Sequence, residues 1–376
     1  MPSVLMAERF ADRIFAPKDL FLALADGLVA RGHTVYVYST SNTQTKGTLI
    51  TGDPILEKQM LHSVKIRKLA GSQLEFRLNA TEYESDIAGV SYKHAKANGV
   101  EVMHLYMDSI AHYWAESSVI PTVMTIHDPL FPPDTLEGWR YRRFRRLPHV
   151  AISARQKDIY GPDFNIVDVV YHGLNLATFP VGNSDKGYLA FVGRLIPEKG
   201  IEDALQASQA TGLPLHIATS ENYLDTDYYT STLKPLITAA GATMTGFMQN
   251  RERNDWMKSA RAVVCPIHWE EPFGMVMIEA MACGTPVIAY NRGSVSEIVK
   301  DGVTGFIIDP DDTDRPGKGS WKIKTQGVAG LVEAIKKIDQ IDRAACRKHV
   351  EEKFTIEKMV DGYEQVYKKI LSKQSA

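Results

Sequence analysis

Short apolar runs alternate with amphipathic helical stretches along almost the whole chain, and this alternation limits the possible folds more than any other feature. In the first half the strand-like runs are SVLMA, TVYVYST, VEVMHLY, PTVMTIH and HVAIS. From residue 188 a second series follows, with YLAFVG, PLHIAT, ARAVVCPI, TPVIAY and TGFIID. Helical stretches separate the runs, as in PKDLFLALADGLVARGH, where Leu20, Leu24 and Leu28 repeat every four residues. Such a βα repeat predicts an α/β fold with parallel sheets.

The two series predict two Rossmann-like, doubly wound domains that face a deep inter-domain cleft. A segment rich in Gly, Asn and Pro separates them, and we place the hinge there, at residues 172–187. We assign residues 1–175 to the first domain, residues 176–355 to the second, and residues 356–376 to a C-terminal helix that returns to the first. Ligands of such sheets bind at the carboxyl ends of the strands. Neither G-x-G-x-x-G nor the P-loop motif is present, which disfavours dinucleotide oxidoreductases and P-loop NTPases.

Composition narrows the class of protein. The chain has 376 residues, 44% of them hydrophobic, and a formal net charge of −2, so it has no overall field that attracts nucleic acid. The three cysteines are scattered among apolar neighbours, which predicts buried free thiols. No apolar stretch reaches the length of a membrane span, and the N-terminus does not have the pattern of a signal peptide. We therefore expect a cytoplasmic protein.

Two glutamates in the stretch HWEEPFGMVMIEAMACG are candidates for ligand binding. Glu271 lies in a turn that contains Pro and Gly, and Glu279 lies about a turn and a half inside the following helix, which Gly274 precedes and Gly284 ends. A carboxylate buried at Glu279 requires partners, which could be ligand hydroxyls such as those of a ribose or the protein's own backbone. The helix N-terminus after Gly274 is suited to a diphosphate.

A second cluster of charge lies in FVGRLIPEKG. Gly193 ends a strand, so Arg194 is expected at the carboxyl edge of the sheet, and Lys199 follows five residues later, before Gly200. Two cations on one strand-end loop can bind a diphosphate. The alternative is an ordinary surface pair between these cations and Glu198. We find no Asp-x-Asp pair at a strand end that would hold a metal ion.

Two residues and one segment of the first domain are further candidates for binding a substrate or a partner. His127 follows the strand PTVMTI and can donate a hydrogen bond or hold a proton near neutral pH, or it can simply cap the next turn. Ser153 can face the cleft or cap a helix. In WRYRRFRRL, from Trp139 to Leu147, five arginines alternate with aromatic residues. This segment is either a solvated helix face with its aromatics docked on the sheet, or a peripheral contact with the inner face of a membrane or another anionic partner.

The sequence resembles the retaining glycosyltransferases of family 4, which have the GT-B fold. The Glu-x7-Glu block at Glu271 and Glu279, with PFG inside it and EAMACGTPVIA after it, carries the strongest resemblance. FVGRLIPEKG, GSVSEIVKDGVTGFIID, TIHD, VAIS and the hinge segment HGLNLATF also match the family. The resemblance implies an acceptor-side first domain and a second domain that binds the nucleotide sugar.

The resemblance also implies roles for single residues. Arg194 and Lys199 would neutralise the leaving diphosphate, with no metal or other cofactor required. Glu279 would bond the donor ribose and Glu271 the transferring sugar, while His127 would face that sugar from the first domain. The further donor-binding residues implied are Phe273, Gly274, Gly193, Met275 and Gly293.

The chain departs from the family pattern in the loop after its first strand, where a pair of glycines is usual. Here the loop reads ERFADRIFAPKD and contains no glycine, so Arg13 and Lys18 are candidates to replace backbone donors on the acceptor side, together with Ser153. In RGSVSEIV a serine, Ser294, stands where a second glycine is usual, and Gly293 remains.

The expected function is retaining transfer of a hexose from a nucleotide diphosphate sugar to a hydroxyl acceptor, by a hexosyltransferase that needs no metal. UDP-glucose is the first expectation for the donor and GDP-mannose the second. The acceptor is a saccharide, a lipid-linked sugar or a small aglycone. The alternatives are a GT-B phosphorylase or a nucleotide-sugar epimerase and, outside enzymes, a regulatory subunit that binds sugar nucleotides.

Overall fold

The computed structural model describes residues 16–66, 73–106, 110–311 and 319–372, and these form two compact units. The chain passes from unit 1 to unit 2 between Tyr171 and His172, and the segment from Ile356 onward belongs to unit 1 again. The predicted boundaries, after residues 175 and 355, lie beside these crossings. The run SVLMA and the candidate Arg13 lie outside the described residues.

Twelve strands are present in the described ranges. They are β1 (Tyr36–Tyr38), β2 (Thr48–Ile50), β3 (Met103–Leu105), β4 (Thr122–Thr125), β5 (His149–Ala151), β6 (Ile166–Val169), β7 (Leu189–Val192), β8 (Leu215–Ala218), β9 (Thr243–Gly246), β10 (Ala262–Cys265), β11 (Val287–Tyr290) and β12 (Gly305–Ile308). Every pairing between them is parallel. The α/β class expected from the sequence is confirmed.

Fourteen α-helices accompany them in the same part of the chain. They are α1 (Ala16–Ala30), α2 (Pro54–Ile66), α3 (Gln73–Ala97), α4 (Ala111–Ser117), α5 (Leu136–Arg143), α6 (Ala154–Tyr160), α7 (Ile201–Thr211), α8 (Lys234–Ala239), α9 (Asn250–Lys258), α10 (Met275–Ala282), α11 (Val295–Ile298), α12 (Gly327–Lys337), α13 (Arg343–Lys353) and α14 (Ile356–Ser372).

Unit 1 contains two parallel sheets, β1-β2 and β3-β4-β5-β6. The periodicity of α1 is confirmed, because Leu20, Leu24 and Leu28 are all buried. This helix packs against α14, the segment expected to return to the first domain. Burying one side of each helix against the other removes apolar surface from water, which holds the last helix on unit 1.

The arginine-rich segment does not form one continuous helix. α5 ends at Arg143, and the aromatic side chains face different surroundings: Phe144 is 2% exposed, whereas Trp139 is 46% exposed. Trp139, Phe144 and Leu147 therefore do not lie on one helix face, since the helix stops before the last two. No helix in the described part of the chain is long and apolar enough to cross a membrane.

Unit 2 has one six-stranded sheet in the order β12-β11-β10-β7-β8-β9. The chain builds one half of this sheet outward from β7 and the other half outward from β10. The strand order therefore reverses between β7 and β10, which lie side by side at the centre with Val263 paired to Ala190. This is the doubly wound order, and the crevice at the carboxyl ends of the two central strands is where such sheets bind ligands.

Candidate functional site

The candidate residues of unit 2 lie on the two loops that leave the central strands. One loop follows β7 and runs from Gly193 to Gly200, and the other follows β10 and runs from Pro266 to Gly274. Gly200 has φ +68°, and a Cβ atom there would lie 1.8 Å from the carbonyl oxygen of Pro266. The two loops thus touch at a position that only glycine can occupy, which fixes the site at the reversal of strand order.

The side chains of Lys199 and Glu271 form an ion pair across these loops. The Lys199 Nζ lies 2.5 Å from Glu271 Oε2, and the two side chains are 18% and 13% exposed. The alternative pairing of the cations with Glu198 is not what the structure shows for Lys199. Each charge needs a counter-charge at this depth. Because both side chains are still partly exposed, an arriving anion can replace Glu271 as the partner of Lys199.

Trp269 connects the candidate residues and was not singled out from the sequence. Its indole Nε1 donates a hydrogen bond of 2.7 Å to Glu271 Oε2. Its ring lies 5.0 Å from Lys199 Nζ and 5.4 Å from the Arg194 guanidinium carbon, distances typical of cation–π contacts. The signal in the sequence was an aromatic residue two positions before Glu271 on a loop. Arg194 itself is exposed, so its charge is accessible to a ligand.

Adjacent carboxylates on this loop have different partners. Glu270 accepts the backbone N–H of Gly293 at 3.1 Å and contacts the Arg292 guanidinium at 3.4 Å. Glu271, one residue later, faces Lys199 and Trp269. Of these two carboxylates, Glu271 is thus the one seen to contact Lys199 in the loop that follows β7.

Gly293 lies very close to the backbone of Glu271. Its φ is +56°, and a Cβ atom would lie 2.1 Å from the Glu271 carbonyl oxygen and 2.3 Å from its nitrogen. The amide of Ser294 donates to the same carbonyl at 3.0 Å. Gly293 therefore sets the position of Glu271 through the main chain.

The N-terminus of α10 lies next to Glu271. Gly274 is the N-cap, with φ +81°, and no side chain caps the helix, while a Cβ atom on Gly274 would lie 3.4 Å from Glu271 Cγ. Met275 is half-buried, so the first turn is accessible. Phe273 is buried, with its ring 4.9 Å from that of His172. At Gly193 a Cβ atom would make only ordinary contacts, so the protein's own packing does not require glycine there.

Glu279 is buried, and its partner is a side chain. Its Oε1 accepts a hydrogen bond of 3.1 Å from Arg253 Nη2, and the two side chains are 9% and 4% exposed. From the sequence we considered ligand hydroxyls or the backbone as partners of Glu279, so this ion pair was not predicted. Arg253 was missed because it lies 26 residues earlier, in a polar helix with no apparent motif.

The candidates His127, Ser153 and Lys18 belong to unit 1. The ring of His127 lies 4.6 Å from that of Tyr106, and burial lowers the pKa of His127 to about 4, so its imidazole is neutral near pH 7. Ser153 is fully buried and caps α6 by accepting from the Gln156 amide at 3.0 Å, the second of its two predicted roles. Lys18 lies in the first turn of α1, 3.7 Å from Asp19.

In the part of the chain that the structure describes, cysteines and potential metal ligands add no further centre. All three cysteines are buried and free, as predicted. Within the described ranges, no group of three or more His, Cys, Asp or Glu side chains could hold a metal ion. The geometry at the loops of β7 and β10 is thus that of a cationic, partly buried site next to a free helix N-terminus, an arrangement suited to a diphosphate.

The chain is similar to known glycosyltransferases. Residues 179–319 match the family model described as Glycosyl transferases group 1. A glycogen synthase of Mycobacterium tuberculosis (strain H37Rv) is 28% identical over 226 residues, covering 57% of this chain and 50% of that protein. A D-inositol 3-phosphate glycosyltransferase of Rhodococcus erythropolis is 28% identical over 393 residues, covering 91% and 84%. The chain spans about half the length of several curated relatives that it matches, the glycogen synthase among them.

Solved structures share the whole fold. The sucrose-phosphate synthase of Thermosynechococcus elongatus superposes with a TM-score of 0.69 at 17% identity, covering 98% of each chain. HepE of Anabaena, solved with UDP-glucose, has a TM-score of 0.67 at 16% identity and covers 96% of this chain and 97% of its own. Residues 179–319 are thus similar to the glycosyl transferases group 1, and the chain has the GT-B fold.

Proposed function

We propose that the protein is a retaining hexosyltransferase of family 4 that moves a hexose from a nucleotide diphosphate sugar to a hydroxyl acceptor. The observation that supports this proposal most is the meeting of Arg194, Lys199, Trp269 and Glu271 at the carboxyl ends of β7 and β10. Two cations, a carboxylate and the free N-terminus of α10 at one point suit a leaving diphosphate and the hydroxyls of a sugar.

The ligand-free ion pair suggests how the residues act. When the donor binds, Lys199 exchanges Glu271 for the diphosphate, and Arg194 adds a second, accessible cation. Glu271 then accepts a hydrogen bond from a hydroxyl of the transferring sugar. Preorganised charges that act on a developing diphosphate anion are the usual source of most of the acceleration.

The reaction itself is proposed as a dissociative substitution. The bond from the anomeric carbon to the diphosphate oxygen breaks, and a bond to the acceptor oxygen forms on the same face. The hydroxyl proton of the acceptor passes to the departing diphosphate oxygen. Because Arg194, Lys199 and the α10 N-terminus stabilise this anion, we propose that neither a metal nor another cofactor is needed. From unit 1, we propose His127 as a neutral hydrogen-bonding group for the sugar, since its pKa is lowered to about 4.

UDP-glucose is the first candidate donor and GDP-mannose the second. A structure of similar fold, HepE, is described in complex with UDP-glucose. The acceptor is proposed to be a saccharide, a lipid-linked sugar or a small aglycone, and Lys18 stays a candidate on that side. Arg13 lies outside the described residues.

A panel of donors tests the proposal. Nucleoside diphosphate release and thermal stabilisation would be measured with UDP-glucose, UDP-galactose, UDP-GlcNAc, GDP-mannose and ADP-glucose, with EDTA present throughout. We expect one donor to stabilise the fold and to be hydrolysed slowly without metal. Turnover that depends on added phosphate would indicate a phosphorylase, and conversion of UDP-GlcNAc without an acceptor would indicate an epimerase. Stabilisation without any turnover, even with acceptors supplied, would indicate a regulatory subunit.

We also propose a cytoplasmic protein with a peripheral contact to anionic lipid through Trp139–Leu147. Exposed aromatic residues occur on α5 and on α4, two helices that the Arg143–Glu116 pair connects, with Tyr113 48%, Trp114 42% and Trp139 46% exposed. Arg145 and Arg146, just after the end of α5, are exposed, whereas Arg143 forms a two-contact pair with Glu116. Aromatic rings next to arginines suit the interface between lipid and water.

A further inference from the structure

Arg253 carries hydrogen-bond donors that the protein does not use. Its side chain is 4% exposed, and only Nη2 has a partner, the carboxylate of Glu279 at 3.1 Å. Both Nε and Nη1 are buried and make no hydrogen bond. Arginine stays charged at any physiological pH and cannot shed these protons, so the two donors remain desolvated and unpaired in the ligand-free protein.

Such donors are rare in native proteins, because a buried polar group without a partner has lost its hydrogen bonds to water, and this loss costs free energy. A charged group is more demanding than a neutral one. A buried guanidinium with two idle donors therefore points to a partner that is absent from the protein chain.

The position of Arg253 identifies the region in which that partner binds. β9 ends at Gly246, on the same carboxyl edge of the sheet as the site, and Arg253 lies in the first turn of the helix that follows, α9. At the end of the neighbouring strand β8, the Thr219 hydroxyl is also buried without a hydrogen-bond partner. Unsatisfied polar atoms thus occur in two elements on the β8–β9 side of the sheet, next to the switch point where the diphosphate is proposed to bind.

The shape of the guanidinium limits which ligand group can bind to Arg253. Its three nitrogens form one rigid planar fork, so the two free donors lie directly beside the Glu279 carboxylate that Nη2 holds. A carboxylate and N–H donors side by side match a vicinal diol, because each hydroxyl can donate to the carboxylate and accept from the guanidinium. A ribose provides such a diol in its 2′ and 3′ hydroxyls.

The family resemblance already implies that Glu279 binds the donor ribose. We infer that Arg253 is a further residue of this contact, which binds the ribose diol through its two free donors and selects ribonucleotides. This inference rests on the proposed function, since it concerns the same donor site. Arg253 contributes two hydrogen bonds that Glu279 alone cannot make, and the ligand in turn satisfies donors that the empty protein leaves unpaired.

Binding of UDP, ADP and GDP would be measured by titration calorimetry, followed by the 2′-deoxy and 3′-deoxy forms of whichever binds. Wild type should bind the deoxy forms at least about tenfold more weakly, the value of one charge-assisted hydrogen bond. In Arg253→Met the ribonucleotide should bind about tenfold more weakly or worse, and the deoxy penalty should shrink to within about threefold. The matched control is Arg251→Met, which removes the same charge from an exposed position on the same helix and should leave both values at the wild-type level.

Arg253→Lys keeps a cation next to Glu279 and protects against loss of the fold, yet it lacks the planar fork. We expect it to fold and to show the reduced deoxy penalty. Equal binding of ribo and deoxy nucleotides by wild type would overturn the inference without any variant, as would an unchanged deoxy penalty in Arg253→Lys. In both cases the donor assay could still succeed, so the proposed function would stand. Failure of wild type to bind any of the three nucleotides would overturn both.

Discussion

The Lys199 ammonium and the Glu271 carboxylate neutralise each other in the ligand-free protein, at a distance of 2.5 Å between Nζ and Oε2. The same oxygen accepts the indole N–H of Trp269 at 2.7 Å. The residue proposed to bind the diphosphate is therefore held by the residue proposed to bind the sugar. Donor binding has to separate this pair, which makes the two functions of the pair experimentally distinguishable.

Replacing Glu271 by Ala should affect turnover and diphosphate binding in opposite directions. Turnover should fall by about 10²-fold or more, as on removal of one preorganised polar group from an active site. Nucleoside diphosphate should bind as tightly as in wild type or tighter, because Lys199 no longer has a competing carboxylate. Steady-state kinetics and calorimetry with UDP measure the two effects. Glu270→Gln is the matched control, since the amide oxygen can still accept the Gly293 N–H; turnover retained in Glu271→Ala would contradict the role of Glu271.

Trp269→Phe should lower kcat about tenfold while the fold stays intact. Phenylalanine keeps an aromatic face for Arg194 and Lys199 but loses the N–H that orients Glu271, and one hydrogen bond to a charged group has about this effect. KM should change little if the loss concerns orientation in the transition state. Trp321→Phe is the control, because its indole donates to a carboxylate in the same way, to Asp309 at 2.9 Å, on a different loop. Equal losses in both variants would indicate a general effect on stability.

Local patterns predicted the elements but not the pairs between them. The helix α10, its glycine-led start and the strands β7, β10, β11 and β12 follow from short-range periodicity and turn residues, and each was expected near its observed position. The strands β2, β6 and β9 were not expected, because threonine, aspartate or glycine interrupts each of their apolar runs, which read TLI, IVDV and TMTG. Pairing of strands into a parallel sheet depends on contacts far along the chain, which periodicity does not encode.

The same limit applies to the site. The loops were predictable from strand ends and glycines, and so were Glu271, Arg194 and Lys199 as candidates. The ion pair between Lys199 and Glu271 joins residues 72 positions apart, and its existence depends on β7 and β10 being neighbours. Arg253 lies in a strongly polar helix, where an arginine normally faces solvent, so only the packing of α9 on α10 shows that it is buried.

Gly293→Ala should destabilise the protein by at least about 2 kcal/mol, because the new methyl group would overlap the Glu271 main chain in addition to straining a left-handed backbone. Gly241→Ala provides the matched control. Its φ, +60°, is similar, yet a Cβ atom there meets nothing within 4 Å, so only the backbone strain of about 1 kcal/mol applies. Urea denaturation measures both. Equal costs in the two variants would show that the Gly293 loop can move away from Glu271.

Stability should fall on acidification, in part through His149. This side chain is fully buried, and burial, together with the nearby His112, lowers its pKa to about 4. Between the unfolded pKa of about 6.5 and this folded value, the unfolded chain binds a proton that the native protein does not, so stability decreases as the pH falls through this window. The slope is up to about 1.4 kcal/mol per pH unit for one histidine.

His149→Phe should remove this part of the slope and flatten the stability profile between about pH 6.5 and pH 4. Urea denaturation at a series of pH values gives the measurement. His62→Gln is the control, because His62 is exposed on α2 and should leave the profile unchanged. A profile in His149→Phe as steep as in wild type would mean that His149 takes up its proton in the native state.

Trp139→Ala should weaken binding to vesicles that contain anionic lipid. Trp139 is 46% exposed and lies near Arg145 and Arg146 in the chain, so its ring can enter the lipid interface while these cations contact phosphates. Sedimentation with phosphatidylcholine vesicles, with and without phosphatidylglycerol, would show binding only to the anionic ones, and about 0.5 M NaCl should abolish it. Arg145→Ala combined with Arg146→Ala should also weaken binding. Leu236→Ala, at a partly exposed apolar position in unit 2, should have no effect. If wild type fails to sediment with anionic vesicles, this surface is a solvated helix face and not a lipid contact.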